Sequence, residues 1–371
     1  MNEPGRLTVA LGSRSYEILV GGGLIARAGA LIRPLLKTSA VAIVSDETVA
    51  RLYLEELTHS LEAAGIRHGV ALLPPGEASK DIRHLEALLD RLLDQGIERG
   101  TLLVALGGGV VGDLAGFAAS VLLRGIDFVQ IPTTLLAQVD SSVGGKTGVN
   151  TRAGKNLVGS FHQPRLVLAD TDALDSLPRR ELVAGYAEVV KYGLLGDPVF
   201  FAWLENHGRA LIDGDAGARR HAVMTSCAAK AAIVAADERE AGARQLLNLG
   251  HTFAHALEAE CGYTDELLHG EAVAIGTIMA FELSARLGLC PGEDVARVAR
   301  HFAVVGLPTS PAAVGGRNWN PARLVEHMRK DKKVAGGRLT FVLVRGIGKA
   351  FVTQDVAPAE VAAVLERAVA A

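Results

Sequence analysis

The chain has 371 residues, of which 49% are hydrophobic and 21% charged, and these fractions exclude a disordered, collagen-like or coiled-coil protein. Its 38 basic and 41 acidic residues give a formal net charge of −3, so no general surface for nucleic acid or anionic membrane is indicated. Aromatic residues make up 5%, which argues against stacking platforms for single-stranded nucleic acid. The length predicts two domains or one large domain.

The three cysteines, Cys227, Cys261 and Cys290, lie far apart and form no Cys-x-x-Cys pair. This pattern excludes a disulfide framework and a zinc knuckle, and it is typical of a reducing compartment. The first residues lack a basic stretch followed by an apolar run, and no apolar segment approaches the ~18 residues that span a bilayer. We therefore expect a cytoplasmic protein without membrane or nucleic-acid partners.

The first half of the chain alternates strand-like and helix-like segments. The runs 7–11 and 16–20 predict a hairpin, because Gly12-Ser13-Arg14-Ser15 separates them. Further along, apolar runs at 41–44, 70–73, 102–106 and 128–131 predict strands. They alternate with stretches of helical periodicity at about 47–64, 80–95 and 111–123. Apolar strands separated by helices predict a Rossmann-like parallel sheet covered on both faces, an α/β nucleotide-binding domain over residues 1–177.

The second half is predicted to be mainly α-helical, from residue 178 to 371. Long stretches rich in Ala, Leu and Glu predict helices at 179–195, 198–212, 217–237, 247–260, 269–287 and 293–305. Residues 339–344 predict one small strand. The difference in class between the halves indicates a separate domain, which we expect to bind metal and substrate.

The segment Gly107-Gly108-Gly109-Val110-Val111-Gly112-Asp113 follows an apolar run and opens a helical stretch. Its glycines satisfy Gly-x-Gly-x-x-Gly and would let the backbone approach a pyrophosphate at a helix N-terminus. From this motif alone, nucleotide binding and a tight strand-to-helix turn are equally compatible with the sequence. Asp46, after the run 41–44, is the better candidate for a ribose ligand.

Residues 133–160 contain five glycines, seven Ser/Thr and a single acid, Asp140, against Lys146, Arg152 and Lys155. We interpret this segment as a long functional loop whose donors suit phosphate or carboxylate, with a solvated flexible loop as the alternative. Gly144-Gly145-Lys146-Thr147 is similar to the end of a Walker A loop. Asp140 occupies the position of that motif's first glycine, which excludes an ATPase of this kind.

Histidines and one acid on the apolar helices favour a metal site. Glu188 and Lys191 share a helix face, although a surface ion pair is the usual interpretation of such spacing. His251 and His255 stand at i, i+4, and His269 opens another helix. No His-Glu-x-x-His or Pro-Cys-x-x-Cys motif is present, which excludes a metallopeptidase and a zinc deaminase. Two imidazoles and a carboxylate with an open position would suit a catalytic zinc ion.

Taken together, seven segments resemble the 3-dehydroquinate synthase family of sugar-phosphate cyclases. They follow one another in the family's order and lie at 107–113, 138–147, 154–157, 187–191, 248–255, 269–271 and 331–333. The resemblance implies conversion of 3-deoxy-arabino-heptulosonate 7-phosphate into 3-dehydroquinate and phosphate, a carbon–oxygen lyase reaction of the shikimate route to aromatic amino acids. It further implies catalytic NAD and a divalent metal, zinc or cobalt.

The resemblance also implies a role for each matching position. Glu188, His251 and His269 would bind the metal. The residues around NAD would be Asp46, Glu77, Lys80, Gly107, Gly108, Gly109, Asp113, Thr133, Thr134, Lys146, Lys155 and Thr171. The substrate pocket would contain Asp140, Lys146, Lys155, Asn156, Lys191, Lys230, Arg244, Asn248, His255, Lys332 and Lys333. Arg124 would reach the phosphate bound by the other subunit of a homodimer.

The positive charge of the predicted pocket supports this interpretation, and the sequence disfavours three alternative functions. A substrate with a carboxylate and a phosphate carries about −3 near neutral pH, and the lysines and Arg244 would compensate that charge. A metal-dependent polyol dehydrogenase of the same fold would have no use for so many cations. A sister cyclase acting on another heptulose phosphate is disfavoured by Asn248, His255 and the Lys332/Lys333 pair, and a non-catalytic regulator by the metal triad. Tyr186 is expected to pack beside the metal helix, and residues 315–319 receive no role.

Overall fold

The computed structural model describes residues 3–240, 242–315, 317–330, 334–335 and 338–370. Lys332 and Lys333, which the resemblance placed in the substrate pocket, lie outside the described residues. Two compact units are present, Met1–Pro178 with Arg219–Arg239 and Arg179–Ala218 with Glu240–Ala371. The predicted domain boundary at 177/178 stays a prediction. The first compact unit includes residues 219–239 in addition to the N-terminal part of the chain. None of the helices in the described ranges is both long enough and apolar enough to cross a bilayer.

The first unit is built on a large β-sheet. The strands of this unit are β1 (Gly5–Val9), β2 (Tyr16–Gly21), β3 (Ala40–Asp46), β4 (Arg67–Leu73), β5 (Leu102–Gly107), β6 (Phe128–Pro132), β7 (Lys146–Thr151), β8 (Gly154–Phe161) and β9 (Leu166–Asp170). Seven of them form the large sheet, in the order β1-β2-β9-β6-β5-β3-β4. All neighbours in the large sheet run parallel except the antiparallel β1–β2 hairpin. The predicted hairpin and parallel sheet are confirmed.

Helices cover both faces of this sheet because its central strands are apolar on both sides. The helices are α1 (Ala28–Ile32), α2 (Glu47–Ala63), α3 (Ile82–Asp94) and α4 (Gly109–Val121). In β3, Ala42 and Val44 join a core with α3 and α4, whereas Val41 and Ile43 join a second core with α1 and α2. Successive side chains of a strand point to opposite faces, so one apolar run supplies both cores.

The order of the strands creates a switch point between β3 and β5. The chain passes from β3 through α2 to β4 on one side, and then through α3 to β5 on the other side of β3. The segments that follow β3 and β5 therefore diverge at the carboxyl edge of the sheet. Open α/β sheets bind ligands in the crevice at this position. Asp46 ends β3 and Gly107 ends β5, so the topology places two predicted NAD residues there.

The second unit is mainly helical, as predicted. Its helices are α5 (Arg179–Gly196), α6 (Pro198–Ile212), α8 (His251–Glu260), α9 (His269–Arg286), α10 (Gly292–Val305), α11 (Pro321–Lys330) and α12 (Pro358–Ala370), while α7 (Ala216–Ala236) contributes residues 219–236 to the first unit. Strands β10 (Val334–Ala335), β11 (Arg338–Leu339), β12 (Phe341–Val344) and β13 (Ala350–Thr353) form two small antiparallel pairs. Helix α9 is buried along most of its length and packs against α5, α8, α10 and α12.

The interpretation of residues 133–160 as one long loop is wrong. The segment contains a π-helical turn, Ala137–Ser141, and the β7–β8 hairpin. Gly148 and Gly159 face each other across the hairpin, and a Cβ on Gly148 would lie 2.7 Å from the Val158 carbonyl oxygen. Two of the five glycines that suggested a loop, Gly148 and Gly159, are therefore required by the close approach of the two strands.

Tyr186, which was expected to pack, and the segment 315–319, which received no role, both form hydrogen bonds within the second unit. The buried Tyr186 hydroxyl lies 3.0 Å from His301 Nε2. In the 315–319 segment, the Arg317 guanidinium binds Glu266 at 2.5 Å, and the Trp319 indole N–H donates to a backbone carbonyl. Both features stabilise the second unit.

Candidate active site

The glycine motif forms the turn from β5 into α4. Gly108 is the N-cap of α4, which begins at Gly109. A Cβ on Gly107 would lie 2.7 Å from the Val111 side chain, and a Cβ on Gly112 would lie 2.9 Å from Gln130 Oε1. None of these glycines has a positive φ, so their role is close packing of helix on strand. The exposed amide groups at the start of α4 are suited to a phosphate.

Asp46 lies at the other side of the switch point and caps α2. Its Oδ1 accepts the backbone N–H groups of Thr48 and Val49 at 2.8 and 3.0 Å. An N-cap carboxylate of this kind stabilises the helix start. Because both bonds go to Oδ1, the cap leaves Oδ2 as an acceptor that is suited to a ribose hydroxyl.

Lys80 and Asp113 form a buried ion pair at 2.5 Å. Burial lowers the pKa of the Lys80 ammonium, but the Asp113 and Glu77 carboxylates outweigh burial, so the pKa is raised above its ordinary value. Burial raises the pKa of the Asp113 carboxyl, against the opposing effect of Lys80. Glu77 Oε1 also accepts the Asn150 amide at 2.7 Å, so this charged group is tied to the hairpin strand β7.

Polar side chains follow β6 and β9 at the same edge of the sheet. Thr133 is buried, and its hydroxyl has no hydrogen-bond partner in the described part of the chain. The Thr134 hydroxyl accepts the Ala137 N–H at 3.1 Å, which fixes the start of the π-helical turn. Thr171 is buried directly after β9. An orphaned buried hydroxyl is unusual, and together with the crevice and the glycine turn it fits a bound dinucleotide.

The predicted substrate residues of the first unit lie on the π-helical turn, the hairpin and α7. Lys230 Nζ donates to the Asp140 carboxylate at 2.7 Å and to its backbone carbonyl at 2.5 Å. Lys146 is exposed at the start of β7, and Lys155 is half-buried in β8. Asn156 has a left-handed φ of 54°, held by a backbone bond to the Asn150 amide oxygen.

Arg124 lies in a strained turn at the end of α4. Leu123 and Arg124 both have positive φ values, 49° and 71°, a conformation that costs ordinary residues of order 1 kcal/mol or more each. Strain of this kind persists where the surrounding structure over-determines the backbone.

In the second unit, three helices bring together a carboxylate and two imidazoles. Glu188 from α5, His251 from α8 and His269 from α9 offer ligand atoms that lie within 4.8 Å of one another. The Nε2 atoms of His251 and His269 lie 3.7 and 3.8 Å from Glu188 Oε1. This set of two nitrogens and one oxygen fits zinc or cobalt.

The Glu188 side chain is fully buried. Its Oε2 contacts the Lys191 ammonium, and its Oε1 faces the Nε2 atoms of His251 and His269; apart from these groups, neither oxygen has a hydrogen-bond partner within the described ranges. The surface ion pair expected for Glu188 and Lys191 is therefore wrong, because both side chains are at most 2% exposed. A buried carboxylate needs a compensating partner; the Lys191 ammonium supplies one here, and a bound metal ion would supply another.

The remaining predicted residues lie close to this cluster in the chain. His255 packs edge-on against His251, with ring centroids 5.6 Å apart, and Arg244 is almost fully buried. The Asn248 amide donates to Glu240 Oε1 at 3.0 Å. Glu240 was missed; it has a left-handed φ of 60°, which the sequence does not reveal.

Glu258 was also missed, although its position was readable. It follows His251 and His255 at the spacing i, i+4, i+7 and so shares their helix face. Its buried Oε2 lies 3.4 Å from His269 Nδ1. Glu271, in the His-Gly-Glu sequence of α9, instead accepts the Leu268 N–H and binds Arg180, so it stabilises the start of the helix.

The parallel sheet of the first unit offers a crevice for a dinucleotide, and the helical unit offers a site with two histidines and one carboxylate. These two features define a class of nucleotide- and metal-dependent enzymes. Sequence comparison gives the family. A family model described as 3-dehydroquinate synthase N-terminal matches residues 70–184, and one described as 3-dehydroquinate synthase C-terminal matches 185–334. The 3-dehydroquinate synthase of Rhodospirillum rubrum is 63% identical over 365 residues, which cover 98% of this chain and 95% of the relative. The chain belongs to the 3-dehydroquinate synthase family.

Solved structures agree with this assignment. A 2-epi-5-epi-valiolone synthase from Streptomyces hygroscopicus, with NAD⁺ and Zn²⁺ bound, is similar with a TM-score of 0.87 and 31% identity over 97% of this chain and 98% of that one. A 2-deoxy-scyllo-inosose synthase complexed with carbaglucose-6-phosphate, NAD⁺ and Co²⁺ gives a TM-score of 0.88 and 26% identity, covering 98% of this chain and 100% of the other. Both neighbours bind NAD⁺ and a divalent metal.

Proposed function

We propose that this protein converts 3-deoxy-arabino-heptulosonate 7-phosphate into 3-dehydroquinate and phosphate, as a carbon–oxygen lyase of aromatic amino acid biosynthesis. The observation that carries the proposal is the buried cluster of Glu188, His251 and His269, in a chain matched along 98% of its length by a 3-dehydroquinate synthase. When bound, NAD supplies a hydride acceptor that is regenerated in each turnover, and zinc or cobalt supplies a Lewis acid.

The first unit holds the nucleotide in this proposal. The amides at Gly107–Gly109 donate to the diphosphate, and Asp46 Oδ2 accepts from a ribose hydroxyl. Asp113 is held by Lys80 and Glu77 by the Asn150 amide, so their carboxylates present a rigid set of acceptors to the cofactor. Thr133, Thr134 and Thr171 complete the contacts around the nicotinamide end. The support is the switch point of the sheet and the orphaned Thr133 hydroxyl.

The second unit holds the metal and part of the substrate. Glu188, His251 and His269 bind the cation. The Lys191 ammonium, beside Glu188, and the Arg244 guanidinium neutralise the anionic substrate, while Asn248 donates its amide to a substrate oxygen. His255 exchanges a proton with a substrate hydroxyl through a ring nitrogen, a role that histidine commonly takes in acid–base catalysis.

The hairpin and α7 contribute the other cations. Lys146, Lys155 and Lys230 bind the phosphate or carboxylate, and Asp140 holds Lys230 in place through the ion pair described above. Asn156 donates its amide to the substrate. With the substrate held in this way, phosphate elimination and the following ring closure need little more than positioning. The roles of Lys332 and Lys333 rest on the family resemblance.

The experiment that tests the proposal is phosphate release from the heptulosonate phosphate by zinc-loaded protein with substoichiometric NAD⁺, with NADH absorbance followed in parallel. Many turnovers per NAD⁺ without NADH accumulation are expected. Accumulation of NADH with simple polyols would instead establish a dehydrogenase, and inactivity on this substrate with turnover of another heptulose phosphate would establish a sister cyclase. His251→Ala should abolish turnover, whereas Gly196→Ala, at the open end of α5, should leave it unchanged.

We further propose a cytoplasmic homodimer. The compartment is supported by the three buried free thiols. The dimer is supported by four exposed apolar side chains at the end of α4 and along β8, Val121, Leu157, Val158 and Phe161, and by the strained turn that carries Arg124. Val158→Lys should convert the dimer into a monomer in sedimentation equilibrium, and an unchanged mass would contradict this surface as the interface.

A further inference from the structure

Beside the three ligands of the proposed metal site lies a second buried carboxylate, Glu258. We propose that Glu258 is a positioning residue of this site, which holds the His269 imidazole by Nδ1 so that Nε2 is presented to the metal. The inference rests on the proposed metal site and extends it by one residue that acts through a ligand.

The distances define which nitrogen of each imidazole is available to a metal. His269 Nδ1 lies 3.4 Å from Glu258 Oε2, and His269 Nε2 lies 3.8 Å from Glu188 Oε1. The ring therefore points one nitrogen at each carboxylate. Because the carboxylate of Glu258 only accepts, it favours the tautomer with the proton on Nδ1 and the lone pair on Nε2.

His251 reaches the same arrangement by a different route. Its Nδ1 lies 3.1 Å from the Leu249 backbone carbonyl, which only accepts, and its Nε2 lies 3.7 Å from Glu188 Oε1. Both imidazoles thus have an acceptor at Nδ1 and face Glu188 through Nε2. Two independent acceptors therefore favour the same tautomer, with the proton on Nδ1. This arrangement is expected around a pair of metal-binding histidines, and simple packing in an apolar core would not require it.

His269 needs a side-chain anchor more than His251 does. Each histidine is the first residue of its helix, but the His269 side chain is 31% exposed and the His251 side chain only 12%. Neighbouring atoms therefore restrict the His269 ring less. Glu258 lies near the end of α8, with a side chain only 3% exposed, so its carboxylate is a rigid point to which the ring is held across the α8–α9 contact.

The neighbouring Glu260 provides a matched control. It lies two residues further along the same helix, is also buried, and accepts from His327 Nε2 at 2.9 Å and from Arg323 at 3.2 Å. It therefore pairs with a histidine that is not a proposed metal ligand. Neutralising Glu260 disturbs a buried carboxylate–histidine pair of the same helix without touching the metal site.

The test measures Zn²⁺ affinity by competition with a chromophoric chelator, for the full chain and for Glu258→Gln, Glu258→Ala and Glu260→Gln. Loss of an outer-shell partner typically lowers metal affinity 10- to 100-fold. We expect about 10-fold weaker binding for Glu258→Gln, whose amide oxygen still accepts from Nδ1, and a larger loss for Glu258→Ala. Glu260→Gln should bind Zn²⁺ within about 2-fold of the unmodified chain.

Spectroscopy separates positioning from a general structural role. Nitrogen-15 NMR of the imidazoles should show His269 protonated at Nδ1 in the unmodified chain and as a mixture of tautomers in Glu258→Ala, and the visible bands of bound Co²⁺ should shift in the same variant. Equal Zn²⁺ affinity and an unchanged tautomer in both Glu258 variants would overturn the inference. Failure of the unmodified chain to bind one Zn²⁺ would instead overturn the proposed metal site itself.

Discussion

Replacing Gly250 by alanine tests whether the start of α8 positions His251. Gly250 has a left-handed φ of 80°, and a Cβ there would lie 2.6 Å from Thr277 Oγ1 and 2.7 Å from Thr277 N. The left-handed conformation costs alanine about 1–2 kcal/mol, and overpacking against the α9 backbone costs about 1–3 kcal/mol more. The expected destabilisation is therefore about 2–5 kcal/mol. Relief of the clash moves α8 from α9 by roughly 0.7 Å, more than the ~0.2 Å tolerance of a metal ligand.

Gly262→Ala is the matched control, because Gly262 follows the other end of α8. It has a similar φ of 65°, but a Cβ there would meet no atom within 4 Å, so only the backbone term of about 1–2 kcal/mol applies. Urea unfolding measures the two stabilities, and chelator competition measures Zn²⁺ affinity, which should fall at least 10-fold in Gly250→Ala alone. If Gly250→Ala and Gly262→Ala lose the same stability and bind Zn²⁺ with the same affinity, the close approach of α8 and α9 does not position His251.

Three further perturbations address charge. Lys191→Met should tighten Zn²⁺ binding several-fold, because it removes a cation that competes for the Glu188 carboxylate; weaker binding in chelator competition would contradict this. Lys80→Met should cost about 3–5 kcal/mol in urea unfolding and weaken NAD⁺ binding in calorimetry, since Asp113 is left buried without its partner. Burial lowers the pKa of His301 to about 4 from 6.5, so the unfolded chain binds the proton first as pH falls. Stability should therefore drop by about 3 kcal/mol between pH 6.5 and pH 4, and His301→Gln should lose this part of the pH dependence.

The alternation of strands and helices in the first unit could be predicted because each strand carries an uninterrupted apolar run. The predicted run 41–44 lies within β3, and its side chains fill two cores at once. Strand β9 (Leu166–Asp170) was missed, since it follows the hairpin without a helix to separate them. Its neighbours, β2 and β6, are distant in sequence, and such long-range pairing leaves no local signal.

In the second unit, helix periodicity predicts the bounds of the helices but not which of their charged side chains are buried. The bounds of α5 and α6 agree with prediction to within one residue, because long helices carry a strong periodic pattern. The burial of Lys191 did not follow from its sequence, as a charged residue at i+3 from an acid is normally a surface partner. Its burial comes from tertiary packing, in which α5 contacts both α6 and α9.

The metal cluster itself depends on contacts that no spacing encodes. The i, i+4 rule joins His251 to His255, yet the site takes His251 from α8, His269 from α9 and Glu188 from α5. These helices approach closely because glycines stand where they meet. A side chain on Gly270 would overlap the Ala184 carbonyl of α5, and one on Gly276 would overlap the Gly250 carbonyl at the start of α8. The resemblance to a family identified the ligands, whereas the glycine contacts explain physically why three helices bring them to one point.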